Sequence, residues 1–256
     1  MTDDKRKIRL GGTARNLEQV ELLHRMGLQF AEITITNPST FSNIVPDYKK
    51  LKERLGISYV CHGPREGDPN DLRQLEKAYL PKVLGILPLI TELDAPHLTL
   101  HLWLDTRFVK EESIAFKVDL LGRIIREATE RGVFICLENL SETVSHLSAA
   151  FDVLPLLYLT LDLGHAQLLT EVNRSHEIIK RYPERIRHVH LHDNRGGHSA
   201  QDDLHLPPGE GIIDFEKIFG KLREMDYDRS ISLELKPYEI ERCLGDVRGL
   251  ISRSGL

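Results

Sequence analysis

Six short apolar segments of this 256-residue chain each end in an imidazole or a carboxylate. The segments are Val60-Cys61-His62, Thr99-Leu100-His101, Cys136-Leu137-Glu138, Thr160-Leu161-Asp162, His188-Val189-His190 and Ser232-Leu233-Glu234. A strand that is buried on both faces seldom ends in such a group, because removing the group from water costs several kcal/mol unless a partner satisfies it. Six matching endings therefore predict that these strands end around one shared polar site.

Short β-type runs alternate with longer amphipathic stretches eight times along the chain. The predicted strands are residues 8–11, 30–36, 58–62, 97–102, 133–138, 157–163, 186–192 and 230–236. The predicted helices are residues 17–26, 48–55, 72–93, 114–131, 144–154, 176–182, 215–225 and 242–251. Strict alternation predicts right-handed crossovers and a parallel sheet. Eight repeats in about 250 residues match a closed (β/α)8 TIM barrel, so we predict one α/β barrel domain over residues 1–256.

The alternation of side chains within a strand predicts which residues face the barrel axis. In the seventh strand, Val189 and Leu191 lie on the face opposite to His188, His190 and His192. The aliphatic face must pack on the surrounding helices, so the polar face lines the axis. Its last members then lie at the C-terminal mouth, where barrels of this kind carry their chemistry.

Three more candidate ligands lie just beyond strand ends: His165 follows Asp162, and Asp203 and His205 share the long loop after the seventh strand. The full set of candidate ligands is His62, His101, Glu138, Asp162, His165, His190, Asp203, His205 and Glu234. Mixed nitrogen and oxygen ligation suits Zn²⁺, Mn²⁺ or Fe²⁺ better than Ca²⁺. Because about four ligands hold one ion, nine residues predict two or three ions that share bridging carboxylates.

Other polar residues near the predicted mouth leave two interpretations open. Glu32, inward-facing on the second strand, either binds substrate or makes a structural hydrogen bond. Lys236 either neutralises an anionic substrate or pairs with a carboxylate. His188 and His192 are predicted as core or supporting groups rather than ligands, with His192 also a candidate for substrate binding. His97 is expected at the surface or at the end of an element.

Charge, apolar content and cysteine positions limit the partners and the cellular compartment that we expect for this chain. A formal charge of −5 gives no general attraction for nucleic acid or an anionic membrane. No apolar run approaches the roughly 18 residues of a membrane span, and the charged residues 1–7 lack the apolar core of a signal peptide. Cys61 and Cys136 lie in apolar runs and Cys243 is distant, so we expect reduced cysteines in a cytoplasmic protein.

Several motifs taken in order resemble one known family. They are Phe30-Ala31-Glu32-Ile33, Leu137-Glu138-Asn139, Leu161-Asp162-Leu163-Gly164-His165, His190-Leu191-His192-Asp193-Asn194, and the stretch DLHLPPGEGIIDF over residues 203–215. Over essentially its whole length the chain resembles the xylose-isomerase-like TIM-barrel superfamily. That superfamily contains sugar and sugar-phosphate isomerases and epimerases, and also endonuclease IV.

The resemblance to the isomerase and epimerase branch implies one catalytic divalent ion, such as Mn²⁺, Mg²⁺, Co²⁺ or Zn²⁺. The residues implied to hold it are Glu138, Asp162, His190 and Glu234. Glu138 and Glu234 would exchange a proton with a substrate carbon through an enediolate, and His165 would contact substrate oxygens. The implied substrate is a small carbohydrate or a sugar phosphate.

The resemblance to endonuclease IV implies a trinuclear zinc site that hydrolyses a phosphodiester at an abasic site in DNA. The implied zinc ligands are His62, His101 and Glu138 for one ion, Glu138, Asp162, His190 and Glu234 for the second, and His165, Asp203 and His205 for the third. We favour carbohydrate chemistry, because residues 63–68 carry no bulky wedge and the mouth segments lack basic runs with interleaved aromatics. A metal-binding barrel without catalysis is a third alternative, and an oligomer is compatible with each.

Overall fold

A computed structural model describes residues 8–256, in which eight parallel strands close into a barrel in sequential order. The strands are β1 (Arg9–Ala14), β2 (Phe30–Thr34), β3 (Ser58–His62), β4 (His97–Leu100), β5 (Phe134–Glu138), β6 (Leu157–Asp162), β7 (Ile186–Leu191) and β8 (Ser230–Leu233). Closure between β1 and β8 pairs Gly11 with Ser232. The predicted (β/α)8 TIM barrel is therefore confirmed.

Helices follow the strands and form the outer layer. They are α1 (Leu17–Arg25), α2 (Pro38–Ser42), α3 (Val45–Leu55), α4 (Leu72–Gln74), α5 (Leu80–Glu92), α6 (Glu111–Thr129), α7 (Val144–Phe151), α8 (Ser175–Arg181), α9 (Phe215–Glu224) and α10 (Pro237–Ser254). A π-helical turn, Leu75–Tyr79, joins α4 to α5. Among residues 8–256, no helix is both long and apolar enough to cross a membrane. The charged residues 1–7 lie outside the described part of the chain.

Several boundaries differ from the sequence prediction for identifiable reasons. The last strand ends at Leu233 instead of continuing to Lys236, because Lys236 is already the N-cap of α10 and Pro237 opens that helix. The helix α10 therefore begins before residue 242, where the apolar periodicity first becomes clear. The short helix α2 was not predicted, although Asn37 caps it by accepting from the backbone N–H groups of Ser39 and Thr40.

The barrel keeps aliphatic and polar side chains on opposite faces. Val189 and Ile231 belong to the continuous hydrophobic core that includes the helical residues Ile218 and Val247. Inside the barrel, by contrast, buried polar groups form hydrogen bonds with one another. The hydroxyls of Thr99 and Thr160 lie 2.8 Å apart, and His188 Nδ1 lies 2.7 Å from Ser230 Oγ. The pleat thus places a polar column beneath the C-terminal mouth.

The first strand runs past Gly11, which the sequence suggested as its end, as far as Ala14. A Cβ atom on Gly11 would lie 2.4 Å from the ring of Phe30 on the paired strand. The glycine therefore serves close packing inside a strand and does not mark a turn.

We predict that Gly11→Ala destabilises the fold by about 1–3 kcal/mol, because the added methyl overpacks the Phe30 ring. Urea unfolding monitored by circular dichroism measures the change. The matched control is Gly220→Ala on α9, where a Cβ meets no atom within 4 Å. That change should stabilise by about 0.5–1 kcal/mol. Equal stability of Gly11→Ala and wild type would contradict the packing argument.

Candidate metal centre

The strand register brings the predicted ligands to one level at the mouth. Asp162 pairs with His190, and His190 pairs with Ser232, two residues before Glu234. Glu138 ends β5 beside β6. All nine predicted ligands fall into three groups whose ligand atoms lie within 4.8 Å of one another: His62, His101 and Glu138; Glu138, Asp162, His190 and Glu234; and His165, Asp203 and His205 together with His192.

The first group is built by β3, β4 and β5. His62 Nε2 lies 3.2 Å from both His101 Nε2 and Glu138 Oε2, and His101 Nε2 lies 2.9 Å from the same carboxylate oxygen. His62 Nδ1 donates to the carbonyl oxygen of Gly63 at 2.9 Å. In the neutral ring Nε2 therefore carries a lone pair, which points toward the other two residues.

The central group converges on one nitrogen of His190. Its Nδ1 lies 3.3 Å from Glu138 Oε2, 3.4 Å from Glu234 Oε1 and 3.6 Å from Asp162 Oδ2. The other ring nitrogen, Nε2, lies 3.0 Å from a carboxylate oxygen of Glu32, which can only accept a hydrogen bond. The neutral ring therefore turns a lone pair toward three carboxylates.

The third group depends on the long loop between β7 and α9. Asp203 Oδ2 lies 3.2 Å from His165 Nε2 and 3.1 Å from His205 Nε2. His205 Nδ1 donates to the backbone carbonyl of Glu234 at 3.1 Å, so in the neutral ring the inner nitrogen, Nε2, carries the lone pair. His205 has φ of +46°, in the left-handed region that costs a side-chain-bearing residue free energy.

The carboxylate of Asp193 holds this loop in place. It accepts backbone N–H groups from Gly209 and Gly211 at 2.9 Å each, and from Ile213 at 3.2 Å. Asp193 also forms a two-way backbone bridge with Leu206, next to His205. Three backbone N–H groups of this loop are thus occupied by the protein's own carboxylate.

The spacing of these atoms fits divalent ions. Ligands about 2.0–2.1 Å from one zinc ion stand about 3.3 Å apart at the corners of a tetrahedron. Four buried atoms in the cluster make no hydrogen bond among the described residues: Glu138 Oε1, His165 Nδ1, His190 Nδ1 and His192 Nδ1. Lone pairs that face one another repel unless a proton or a metal cation lies between them. In residue type, in spacing and in their buried atoms without a hydrogen bond, these residues therefore fit a divalent metal site.

The same crowding controls protonation of the metal-free protein. Burial by itself would lower the pKa of His190, but the carboxylates of Glu234, Glu32 and Glu138 outweigh it and hold that pKa well above its ordinary value. Burial alone would raise the pKa of Glu138, yet His101 and His190 hold it well below the usual range. Glu138 is therefore ionised at neutral pH, as a metal ligand or a general base must be.

The three predicted substrate-binding residues occupy different positions. Glu32 is 1% exposed with both oxygens bonded to histidines, which favours its structural interpretation over substrate contact. His192 is buried and donates from Nε2 to Asp162 Oδ2 at 3.2 Å, and its ring stacks on that of His205 with 3.9 Å between the ring centroids. Lys236 is exposed, with its ammonium 3.7 Å from Glu239.

Several supporting residues escaped the sequence prediction. Asn139 donates to the carbonyl of Asp162 and accepts from its N–H group, both at 2.9 Å, and so locks the end of β6 to β5. The position of Asn139 directly after Glu138 was the feature of the sequence that could have indicated this supporting role. His97 begins β4, as an element-end residue, but its side chain is buried beneath the site instead of exposed. No local pattern indicates that position.

Residues 20–248 match the family model described as xylose isomerase-like TIM barrel. The chain therefore belongs to the xylose isomerase-like TIM-barrel family.

Among curated proteins, the chain is similar to an uncharacterized protein of Methanocaldococcus jannaschii. The two are 28% identical over 204 residues, which cover 73% of this chain and 67% of the relative. It is also 29% identical over 146 residues to an inosose dehydratase of Clostridium beijerinckii, covering 50% of this chain and 48% of that enzyme. The matched region thus spans about half of that dehydratase.

Among solved structures, a D-tagatose 3-epimerase-like protein superposes with a TM-score of 0.82 at 23% identity, covering 97% of this chain and 100% of the other. An L-ribulose 3-epimerase superposes with a TM-score of 0.78 at 15% identity, covering 96% and 95%. At these identities the similarity establishes the shared fold.

We predict a pH-dependent loss of stability in the metal-free protein. Burial lowers the pKa of His205, but Asp203 and Glu234 outweigh it and raise the pKa from 6.5 to about 9. The stabilisation that protonated His205 gives to the folded state is therefore fully present below about pH 6.5 and is lost as the pH rises through about 9. Melting temperatures of EDTA-treated protein from pH 6 to 10 should fall more steeply for wild type than for His205→Ala. Identical pH profiles would show that the ion pair contributes nothing.

Proposed function

We propose that the protein is a divalent-metal-dependent isomerase or epimerase of small carbohydrates or their phosphates. The observation that carries the proposal is the convergence of Glu138, Asp162 and Glu234 on a single nitrogen of His190. Two of these carboxylates belong to glutamates, which supply a base and an acid beside the same metal-sized space. The similarity to sugar epimerases and to an inosose dehydratase supports carbohydrate chemistry.

The two glutamates have different environments. The Glu138 side chain is fully buried, whereas the Glu234 side chain is 14% exposed and borders the mouth. When bound to the central group, a divalent ion would polarise the substrate carbonyl. Glu138 and Glu234 then exchange a proton with the neighbouring substrate carbon, one removing it and the other returning it through an enediolate. His165, beside Glu138, contacts the substrate oxygens.

We predict that the metal-loaded protein exchanges solvent deuterium into a substrate carbon, measured by mass spectrometry over a panel of ketoses, ketose phosphates and inososes. Glu234→Gln keeps an oxygen ligand but loses one of the two proton-transfer groups, so conversion of substrate to isomeric or epimeric product should fall by about 10²- to 10⁴-fold. Glu224→Gln, an exposed change in the last residue of α9, should leave exchange intact. Absence of exchange across the panel with Mn²⁺, Co²⁺ and Mg²⁺ would refute the proposal.

A second candidate function, phosphodiester hydrolysis on abasic DNA, is favoured by one specific observation. The chain assembles the first and third ligand groups as completely as the central one. One catalytic ion on the central group requires none of His62, His101, Asp203 or His205. Three ions around Glu138 and Asp162 would instead supply a hydroxide and hold both oxygens of an in-line displacement.

The two functions predict different responses to His205→Ala. A hydrolase should nick abasic duplex in an EDTA-sensitive manner, bind three zinc ions per chain and lose nicking in the variant. An isomerase should retain deuterium exchange in the same variant, because the central ligands are unchanged. Zinc content by plasma mass spectrometry, gel-based nicking and exchange on one preparation together decide between them.

A further inference from the structure

A chain of buried polar side chains descends from the metal centre along the barrel axis. His190 Nε2 lies 3.0 Å from Glu32 Oε1, and His188 Nε2 lies 3.2 Å from Glu32 Oε2. His188 Nδ1 in turn lies 2.7 Å from the hydroxyl of Ser230. The side chains of Glu32, His188 and His190 are all fully buried. Glu32, His188 and Ser230 are buried below the mouth, and neither proposed reaction gives them a step.

The chemistry of these groups fixes every hydrogen in the chain. A carboxylate only accepts, so both histidines carry a hydrogen on Nε2 and donate it to Glu32. In neutral His188, Nδ1 then accepts the hydroxyl hydrogen of Ser230. When His190 gives up its second proton, as a metal ligand must, the same constraint leaves Nδ1 as the lone-pair nitrogen, which is the atom facing Glu138, Asp162 and Glu234.

We propose that Glu32 is a positioning residue that fixes the ring orientation and tautomer of His190 and thereby sets the metal affinity of the central group. This inference rests on the metal dependence in the proposed function. Carboxylates that accept from the outer nitrogen of a ligating histidine make that histidine a better ligand, and their loss costs about 10- to 100-fold in metal affinity.

The residues around Glu32 keep its carboxylate negatively charged. Burial alone would raise the pKa of Glu32, but His190 and His188 outweigh it and hold that pKa well below its usual range. His97, whose ring centroid lies 4.9 Å from that of His188, stays neutral because burial lowers its pKa well below the ordinary value. Glu32 thus contributes a negative charge directly beneath the central ligands.

Two substitutions separate the charge of Glu32 from its geometry. Glu32→Leu removes both acceptors. Glu32→Gln keeps an oxygen that accepts the hydrogen bond from His190. Its amide N–H group then donates to His188 Nε2, and His188 Nδ1 donates to the hydroxyl oxygen of Ser230 instead of accepting from it. A neutral imidazole and a hydroxyl can both make this change. The matched control is Thr99→Val, which removes the buried hydrogen bond to Thr160 inside the same barrel and leaves the hydrogen bonds of Glu32 to His188 and His190 in place.

The experiment measures zinc affinity by chelator competition, the visible spectrum of the Co²⁺-loaded protein, and the histidine tautomers by ¹⁵N NMR. We expect Glu32→Leu to weaken one bound ion by about 10- to 100-fold, to shift the Co²⁺ spectrum and to loosen the His190 tautomer. Glu32→Gln should preserve the tautomer and lose less affinity. Thr99→Val should change stability alone.

The outcomes separate this inference from the function on which it rests. If wild-type protein binds zinc and both Glu32 variants match Thr99→Val in affinity and spectrum, Glu32 has no positioning role although the metal dependence stands. If wild-type protein binds no divalent ion, the metal-dependent function fails and this inference fails with it. Because Leu leaves two histidine N–H groups unpaired in the core, Glu32→Gln decides the question if Glu32→Leu does not fold.

Discussion

The compensation of buried negative charge is the constraint on which the rest of this structure depends. Glu32, Glu138 and Asp162 are almost completely buried within one barrel, and each is surrounded by imidazoles. An uncompensated carboxylate in such a place would take up a proton instead of remaining charged. The histidines on β3, β7 and the mouth loops are therefore as necessary to the fold as to any bound ion. The barrel supplies the rigidity that keeps these opposing groups a few ångströms apart.

Much of this architecture could be predicted because it repeats. The eight β-type runs that alternate with amphipathic stretches were enough to predict the barrel. The positions of His62, Glu138 and Asp162 at strand ends were enough to predict candidate ligands at the mouth. What could not be predicted depends on side-chain contacts between one strand and another. Gly11 looks like a strand end until the ring of Phe30 is seen against it. Glu32 looks like a substrate contact until both its oxygens are seen to be occupied.

The position of Glu138 explains why one constellation supports two chemistries. Its carboxylate lies 3.2 Å or less from His62 and His101 on one side and 3.3 Å from His190 on the other. With only the central group filled, Glu138 would be available for proton transfer to carbon. With the first group also filled, the same carboxylate would be shared between two cations and would be a weaker base. The number of bound ions, more than the identity of the side chains, therefore separates the two candidate reactions.

The loop fastened by Asp193 has a consequence for how such a site can diversify. Barrel strands or their ends carry the first and central ligand groups, but Asp203 and His205 belong to a segment pinned by one carboxylate outside the barrel wall. Changes in that segment would alter the third ligand group while the hydrophobic framework stays as it is. The number of ligand groups is in this sense a modular property, separable from the scaffold that displays them.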